Sequence, residues 1–306
     1  MKIAASSLWL ETKYGYEKAF RMMKEAGFDG VDYGIDDWVG TEEQVKASRC
    51  YYMSDEELRE HFTRIYECAR DIGLEIVQTH AIFGAGTTIK YPELFKKVTE
   101  RTIYATSLLH CKHVVVHPVA TEGRIFDEEY DVCHAYNLEF FRSFRPALEK
   151  YGVKLAVEPM WSVDKNEKIC GTICSRPEEI LQFIDELGSD CYCSCPDIGH
   201  FVLTASSTGV SPADAIRKLG KTIEITHVHE VDGTRDNHTA PYRFRGAMDW
   251  EEILAAFADA GYDGALNFEV GGNYYEAYPE SLLPEAMKHF ATIARSMADK
   301  IEALKK

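Results

Sequence analysis

Short apolar runs alternate with longer amphipathic segments along the whole chain. The short runs hold several β-branched or aromatic residues in a row, which is typical of strands buried on both faces, whereas the longer segments repeat apolar residues at helical spacing. The pattern predicts eight strands, at Ile3–Ser6, Gly30–Tyr33, Glu75–His80, His113–His117, Lys154–Met160, Cys191–Asp197, Ile223–His229 and Ala265–Val270. It also predicts eight helices, at Tyr16–Ala26, Ser54–Ile72, Tyr91–Leu109, Asp127–Lys150, Arg176–Leu187, Ser211–Leu219, Asp249–Ala260 and Leu283–Leu304.

This order of strands and helices indicates the architecture. Strand and helix alternate throughout without a linker rich in Pro, Gly or Ser, which favours a closed parallel barrel. We therefore expect residues 1–306 to form a single α/β domain, a (β/α)8 TIM barrel. An open doubly wound sheet would carry a glycine-rich turn after its first strand, and the stretch SSLWLETKYG at that place has no such motif.

Charge and composition restrict which molecules the chain is expected to bind and where it is expected to be located. The formal net charge of −16 repels nucleic acid, so we expect no nucleic-acid partner. No apolar run is long enough to span a membrane, and the N-terminus reaches charge and glycine too early for a signal peptide, which together predict a cytoplasmic protein. Nine cysteines without paired CxxC motifs fit a reducing compartment, and we interpret Cys191, Cys193 and Cys195 as packing residues on one strand face.

The carboxyl ends of the predicted strands carry the candidate chemistry, because in a TIM barrel these ends form one mouth. Six consecutive strands finish in a side chain that can bind a metal or transfer a proton: His80, His117, Glu158, Asp197 with His200 just beyond it, His227 with His229, and Glu269. Alternation along the strands turns Glu158 and Glu269 inward. Burial of a lone carboxylate is costly, which makes a purely structural role the weaker interpretation for these two. Taken singly, His80 and His117 are more often core histidines than ligands.

Carboxylates and imidazoles that meet at one mouth predict a mixed oxygen and nitrogen site for one divalent cation. Mn²⁺ is expected first, with Mg²⁺, Co²⁺ and Zn²⁺ as alternatives. Four protein ligands in an octahedral site leave two positions for the adjacent oxygens of a hydroxy-ketone. The cation would then stabilise the enediolate that forms when a carbon-bound proton is removed.

Four short motifs follow one another on these strand ends: EPM at Glu158, PDIGH at Asp197 to His200, HVHEVDGTRD from His227 and NFEV at Glu269. In these motifs the chain resembles the sugar isomerase/epimerase superfamily of xylose-isomerase-like TIM barrels. That group includes ketose 3-epimerases, hydroxypyruvate isomerase, inosose dehydratase and AP endonucleases of the endonuclease IV type. The resemblance covers essentially the whole chain.

The similarity to ketose epimerases implies roles for single residues. It implies metal ligation by Glu158, Asp197, His229 and Glu269, of which the two glutamates would also be the paired acid and base. His200 and Arg235 match the substrate-contacting histidine and arginine of the family. We expect His80 and Trp161, also at the mouth, to contact substrate. The Trp161–Gly171 insert departs from typical ketose epimerases and leaves the substrate open.

The endonuclease branch has a three-zinc site with more histidines, and this chain holds candidates for such additional ligands in His117, His227, Asp236 and His238. The acidic and aromatic segments DDWVGTEEQ and NYYEAYPE, together with the net charge, argue against DNA repair. We therefore expect one ion, with His238 as a loop residue, and keep three ions as the alternative.

These observations predict a divalent-metal-dependent isomerase or epimerase that acts on a small carbohydrate, either a sugar, a sugar phosphate or a keto-polyol, by proton transfer through a metal-bound enediolate. The alternative is a metal-dependent lyase or dehydratase of the same barrel, of the inosose type or C-glycoside-cleaving, in which His200 or His238 would protonate the leaving group. An AP-endonuclease-type zinc hydrolase and a non-catalytic sugar-binding barrel are less favoured. The sequence leaves open whether the chain forms a homo-oligomer.

Overall fold

The structure, a computed structural model, describes residues 1–84, 87–119 and 130–305. Its strands are β1 (Ile3–Ser6), β2 (Gly30–Gly34), β3 (Glu75–His80), β4 (His113–Val116), β5 (Lys154–Val157), β6 (Trp161–Val163), β7 (Ile169–Gly171), β8 (Tyr192–Ser194) and β9 (Leu266–Phe268). Its helices are α1 (Leu8–Tyr14), α2 (Tyr16–Ala26), α3 (Glu42–Ala47), α4 (Arg49–Tyr52), α5 (Asp55–Ile72), α6 (Thr87–Lys90), α7 (Pro92–Leu108), α8 (Tyr130–Ser143), α9 (Arg145–Tyr151), α10 (Pro177–Leu187), α11 (Ile198–Thr208), α12 (Pro212–Leu219), α13 (Trp250–Asp259), α14 (Gly272–Tyr275) and α15 (Leu283–Leu304), with 3₁₀ turns at Gly220–Thr222 and Glu280–Leu282.

Within the described residues, seven strands form a parallel sheet in the order β8-β5-β4-β3-β2-β1-β9. Residues 223–229, which we call the seam, join its two edge strands. On one side an isolated bridge pairs Asp197 with the seam. On the other side Val228 N–H donates to Asn267 O over 2.9 Å, and Glu269 N–H donates to Val228 O over 3.1 Å. The sheet thus closes on itself, which confirms the predicted TIM barrel.

The prediction of a regular strand at Ile223–His229 is wrong, because the seam makes only isolated bridges. Side chains take the place of the missing ladder. Asn267 N–H donates to Thr226 Oγ1 over 3.1 Å, and the Asn267 side-chain amide donates to Thr226 O over 3.2 Å. A hydroxyl and an amide therefore satisfy backbone groups that a regular strand pair would satisfy by itself.

Several other predicted bounds of strands and helices differ from those in the structure. The ladders of β5, β8 and β9 end before Glu158, Asp197 and Glu269, so these residues lie just beyond the strands rather than within them.

The predicted helix from Asp127 begins outside the described residues and is interrupted at Phe144, two residues before a proline that cannot continue the backbone hydrogen bonds. The Trp161–Gly171 insert is an antiparallel hairpin of β6 and β7. Helices that the pattern did not predict are α11 and the shorter α1, α3, α4, α6 and α14.

The barrel interior is filled by a small apolar cluster below the mouth, composed of Val115, Ala156, Cys193, Cys195 and Ile225. The helices pack outside the sheet over a second and larger apolar cluster. Cys193 and Cys195 are buried packing residues, as predicted, and Cys191 is partly buried. In the part of the chain that the structure describes, no helix combines the length and the low polarity needed to cross a bilayer.

Candidate metal centre and active site

Glu158 lies directly after β5 and is buried between two sets of imidazoles. Its Oε1 is 2.8 Å from His227 Nδ1. Its Oε2 is 2.9 Å from His117 Nε2 and 3.5 Å from His80 Nε2. One carboxylate therefore joins two groups of nitrogen ligands.

Asp197 is placed by the start of α11, where it is the N-terminal cap. Its Oδ1 accepts a hydrogen bond of 2.7 Å from His200 N–H, and a carboxylate in this position is also stabilised by the helix dipole. The same carboxylate lies 3.0 Å from His229 Nε2. Gly199 lies close to the ring of His229. A Cβ at position 199 would overlap that ring, so only glycine fits there.

Four side chains, here called the quartet, bring their ligand atoms within 4.8 Å of one another: Glu158, Asp197, His227 and Glu269. His227 stands at the centre of this set. Its Nδ1 is 3.5 Å from Glu269 Oε2 and 3.9 Å from Asp197 Oδ2, in addition to the contact with Glu158.

The quartet shares Glu158, Asp197 and Glu269 with the set that the sequence suggested and contains His227 as its imidazole, while the ligand role expected for His229 stays a prediction. His229 belongs instead to a second group whose ligand atoms also lie within 4.8 Å of one another: His200, His229, Asp236 and His238. In that group His200 Nε2 lies 3.1 Å from Asp236 Oδ2, and His238 Nε2 lies 3.0 Å from the same oxygen. The ring of His229 stacks on that of His238 at 4.2 Å.

His80, His117 and Glu158 form a third group at the mouth. His80 Nε2 is 3.1 Å from His117 Nε2, and Nδ1 of His80 is 2.7 Å from Ala81 O. A fourth group, His113 with Cys193 and Glu224, lies at the opposite end of the barrel. There Lys154 Nζ is 2.5 Å from Glu224, so the charge of that carboxylate already has a partner.

Several buried polar atoms at the mouth make no hydrogen bond within the described residues, which tests whether these groups fit a cation. They are His229 Nδ1, Asp236 Oδ1 and Glu269 Oε2. Buried polar atoms are normally paired, and each unpaired one costs about 1–3 kcal/mol. Oxygen and imidazole donors without partners are the donor set that a divalent cation requires, so the residues fit a metal ion.

Carboxylates and imidazoles at the mouth shift one another's pKa values. Burial alone would raise the pKa of Glu158, but His227 and His117 outweigh it and hold this pKa well below its usual range. Burial likewise opposes a charged His238, yet Glu269 and Asp236 raise its pKa to about 9. A cation bound here would replace such protons.

A cavity of about 400 Å³ opens beside these groups and is lined in part by Glu158, His200, Asp236, His238 and Glu269. Trp161, at the base of the hairpin, also lines it and donates from Nε1 to Asp236 Oδ2 over 3.2 Å.

Two of the expected substrate contacts are placed elsewhere. Neither His80 nor Arg235 is among the described residues that line the cavity: His80 is buried with its Nε2 3.1 Å from His117 Nε2, and Arg235 is exposed on its loop. Their roles remain predictions. His200 does line the cavity, but both of its ring nitrogens have protein partners, Pro159 O at 2.8 Å and Asp236.

Sequence reasoning missed three residues beneath the quartet. Asp32 on β2, Gln78 on β3 and Asn267 on β9 are all buried inside the barrel. The signal was Asp32 itself, a charged residue in the otherwise apolar predicted strand Gly30–Tyr33, because a buried charge is costly unless it has partners.

Sequence comparison places the chain among known proteins. A family model described as the xylose isomerase-like TIM barrel matches residues 20–293. The mannonate dehydratase of Brachyspira hyodysenteriae is 31% identical over 151 residues, which cover 44% of this chain and 38% of that relative. An uncharacterized protein of Sinorhizobium fredii is 24% identical over 295 residues, 85% of this chain and 83% of that protein.

Solved structures share the fold over nearly the full length. The D-psicose 3-epimerase of Clostridium cellulolyticum H10, solved with D-tagatose, has a TM-score of 0.71 at 17% identity and covers 97% of this chain and 99% of its own. The 3-keto-D-glucoside 4-epimerase of E. coli has a TM-score of 0.69 at 14% identity, with 95% and 99% covered. At these identities the likeness establishes the fold.

Proposed function

Because the chain belongs to the xylose isomerase-like TIM barrel family, we propose that it is a divalent-metal-dependent sugar isomerase or epimerase. The observation that carries the proposal is the quartet, in which three carboxylates and one imidazole converge beside a cavity of about 400 Å³. A cation held by these residues would polarise the carbonyl of a bound hydroxy-ketone and so acidify the neighbouring C–H bond. Mn²⁺, Co²⁺ and Zn²⁺ suit such mixed ligands.

Glu158 and Glu269 are the groups proposed to move the proton. Glu158 is kept ionised by the imidazoles of His117 and His227, as its lowered pKa indicates after burial is offset. Glu269 lines the cavity, and its Oε2 has no hydrogen-bond partner in the described residues. One carboxylate would remove the proton next to the carbonyl and the other would return one. Return to the same carbon is epimerisation, and return to its neighbour is isomerisation.

The rest of the cavity favours an uncharged substrate with an apolar part. Away from the metal groups its walls are mainly apolar, with Trp38, Phe83, Phe140, Met160, Trp161 and Val163 among them. No lysine or arginine occurs among the described residues that line it, so a phosphate group would lack a cationic partner there. A keto-sugar or a keto-glycoside fits these walls better than a sugar phosphate.

The same walls favour a second candidate, a lyase in which a carboxylate removes the proton next to the carbonyl and water or an apolar aglycone leaves from the carbon β to the carbonyl. His238 would be its acid, because its imidazole lines the cavity and its Nε2 lies 3.0 Å from Asp236 Oδ2. The partial match to a protein named as a dehydratase agrees with this candidate. Loss of mass from the sugar distinguishes elimination from isomerisation.

Solvent exchange tests the proposal directly. The Mn²⁺-loaded protein is incubated in D₂O with free ketoses and with 3-keto-glycosides, and deuterium at the carbons next to the carbonyl is followed by NMR. We expect exchange in the wild type and a fall of about 10²–10⁴-fold in Glu158→Gln and Glu269→Gln. Full exchange in both variants would refute the proton-transfer assignment.

A matched control is Glu179→Gln on α10. This glutamate is buried outside the mouth, and burial, although offset in part by Arg176, raises its pKa to about 8. The substitution therefore changes little charge at neutral pH, and exchange should stay at the wild-type level. Elemental analysis of the same preparations counts the bound ions, since the three groups at the mouth offer places for one to three.

A further inference from the structure

We infer that Asp32 is a positioning residue of the metal centre, which fixes the ring of His227 from behind so that Nδ1 faces the ion. The inference rests on the proposed function, because it assumes a cation in the quartet.

The two nitrogens of His227 face different surroundings. Nδ1 looks toward the quartet, where Glu158 Oε1 is 2.8 Å away. Nε2 looks toward the barrel floor, where Asp32 Oδ2 is 3.2 Å away in a contact bent from hydrogen-bond geometry. A ring that binds a metal through one nitrogen donates the proton of the other, and a carboxylate on that side sets the ring's tautomer and orientation.

Asp32 is itself held in place by two amides from different strands. Its Oδ2 accepts from Gln78 Nε2 over 3.1 Å and from Asn267 Nδ2 over 2.9 Å. The side chain is only 3% exposed, so a position for this charge has been built inside the barrel despite the cost of desolvation.

The backbone also contributes to this arrangement. The pairing of β2 with β3 shifts register between Val31 and Asp32, so that Val31 pairs with Ile76 whereas Asp32 pairs with Gln78. A bulge of this kind re-aims side chains next to a site. Here it sets Gln78 opposite Asp32 and thereby supports the carboxylate under His227.

Metal titration separates positioning from general stability. Mn²⁺ binding is measured by electron paramagnetic resonance for the wild type, Asp32→Asn, His227→Asn and the double variant. Asparagine at 227 leaves an oxygen near the place of Nδ1 but nothing that reaches Asp32. We expect Asp32→Asn to weaken Mn²⁺ binding about 10–100-fold in the wild type. In the His227→Asn background it should change binding less than about twofold, because the residues act through one contact.

Asp36→Asn is the matched control, because this aspartate follows β2 and accepts from Ser48 Oγ over 2.7 Å instead of from residues of the centre. It should bind Mn²⁺ like the wild type. Should Asp32→Asn not fold, Gln78→Met, which removes one support of the carboxylate, should weaken binding in the same background-dependent way. Wild-type affinity in the variant that folds, or an equal loss in both backgrounds, would overturn the inference while leaving the proposed function in place. A wild-type protein that binds no divalent cation would overturn both.

Discussion

The two ends of the barrel each concentrate charged side chains, but they neutralise them in different ways. At the amino-terminal end three carboxylates meet a lysine or arginine: Glu224 contacts Lys154 at 2.5 Å, Asp29 contacts Arg295 at 2.5 Å and Glu75 contacts Lys2. At the mouth the ion-pair partners of the quartet's carboxylates among the described residues are imidazoles, and Asp236 Oδ1 and Glu269 Oε2 make no hydrogen bond there. These carboxylates of the amino-terminal end therefore have basic partners within the protein, whereas the mouth offers donor atoms that a cation would need.

The largest expected difference between the ends is the response to metal. Mn²⁺ at about 100 times its Kd should stabilise the folded protein by about 2.7 kcal/mol and raise its melting temperature. Calorimetry with and without EDTA measures this shift. Glu224→Gln should keep the metal-induced rise in melting temperature, and Glu269→Gln should reduce it. An equal rise in both variants would contradict the difference proposed between the two ends of the barrel.

Gly199→Ala should be the next largest effect, because the added methyl group would overlap the ring of His229. Overpacking of this kind costs about 1–3 kcal/mol, and we expect the variant also to bind Mn²⁺ more weakly. Denaturant unfolding and metal titration measure both effects. Gly271→Ala is the control, since its methyl group would make only an ordinary contact with His238 at 3.8 Å.

Low pH should remove the stability that Glu224 contributes at the amino-terminal end. The hydrogen bond from His113, together with Lys154 and against the effect of burial, lowers the pKa of Glu224 from 4.5 to about 2. A lowered folded-state pKa gives stability that is present above about pH 4.5 and is lost as the pH falls toward 2. Glu224→Gln should thus be less stable than the wild type at pH 7, by no more than about 1 kcal/mol because solvent screens the partly exposed group. Urea unfolding should show this difference shrinking below pH 4.5, and a difference that grows there would contradict the assignment.

Lys2→Met should have the smallest effect, because the ion pair with Glu75 is exposed on both sides. Exposed pairs contribute about 0–1 kcal/mol, and salt screens them. Urea unfolding at low and high salt should show a small loss of stability that high salt removes, with metal binding unchanged.

Local pattern was enough to predict the long helices. The bounds of α2 and α15 agree with the pattern because apolar spacing and end signals are properties of the segment itself. The bounds of β1 and β3 were predicted correctly, but β5, β8 and β9 were predicted too long, since a ladder needs a partner strand that the segment does not encode. Barrel closure was foreseeable from the alternation, but the irregular seam was not, because it depends on Asn267 and Thr226 meeting across the fold.

The candidate site was predictable in its residue types but not in its grouping. Carboxylates and imidazoles at successive strand ends indicated a mouth with metal ligands. His227 and His229 are two residues apart and turn the same way, so alternation could not distinguish them. Their placement depends on Asp32 beneath one ring and on the clearance at Gly199 beside the other, and both features come from distant parts of the chain.

The seam gives the proposed ion a mechanical role. Glu158 and Asp197 belong to one side of it, Glu269 to the other, and His227 to the seam itself. A cation bound by all four would link the two edge strands of the sheet across the seam, where the backbone pairing is least regular. Without the ion the seam should open locally more often. The amide hydrogens of residues 223–229 should therefore exchange with solvent faster without metal than with it.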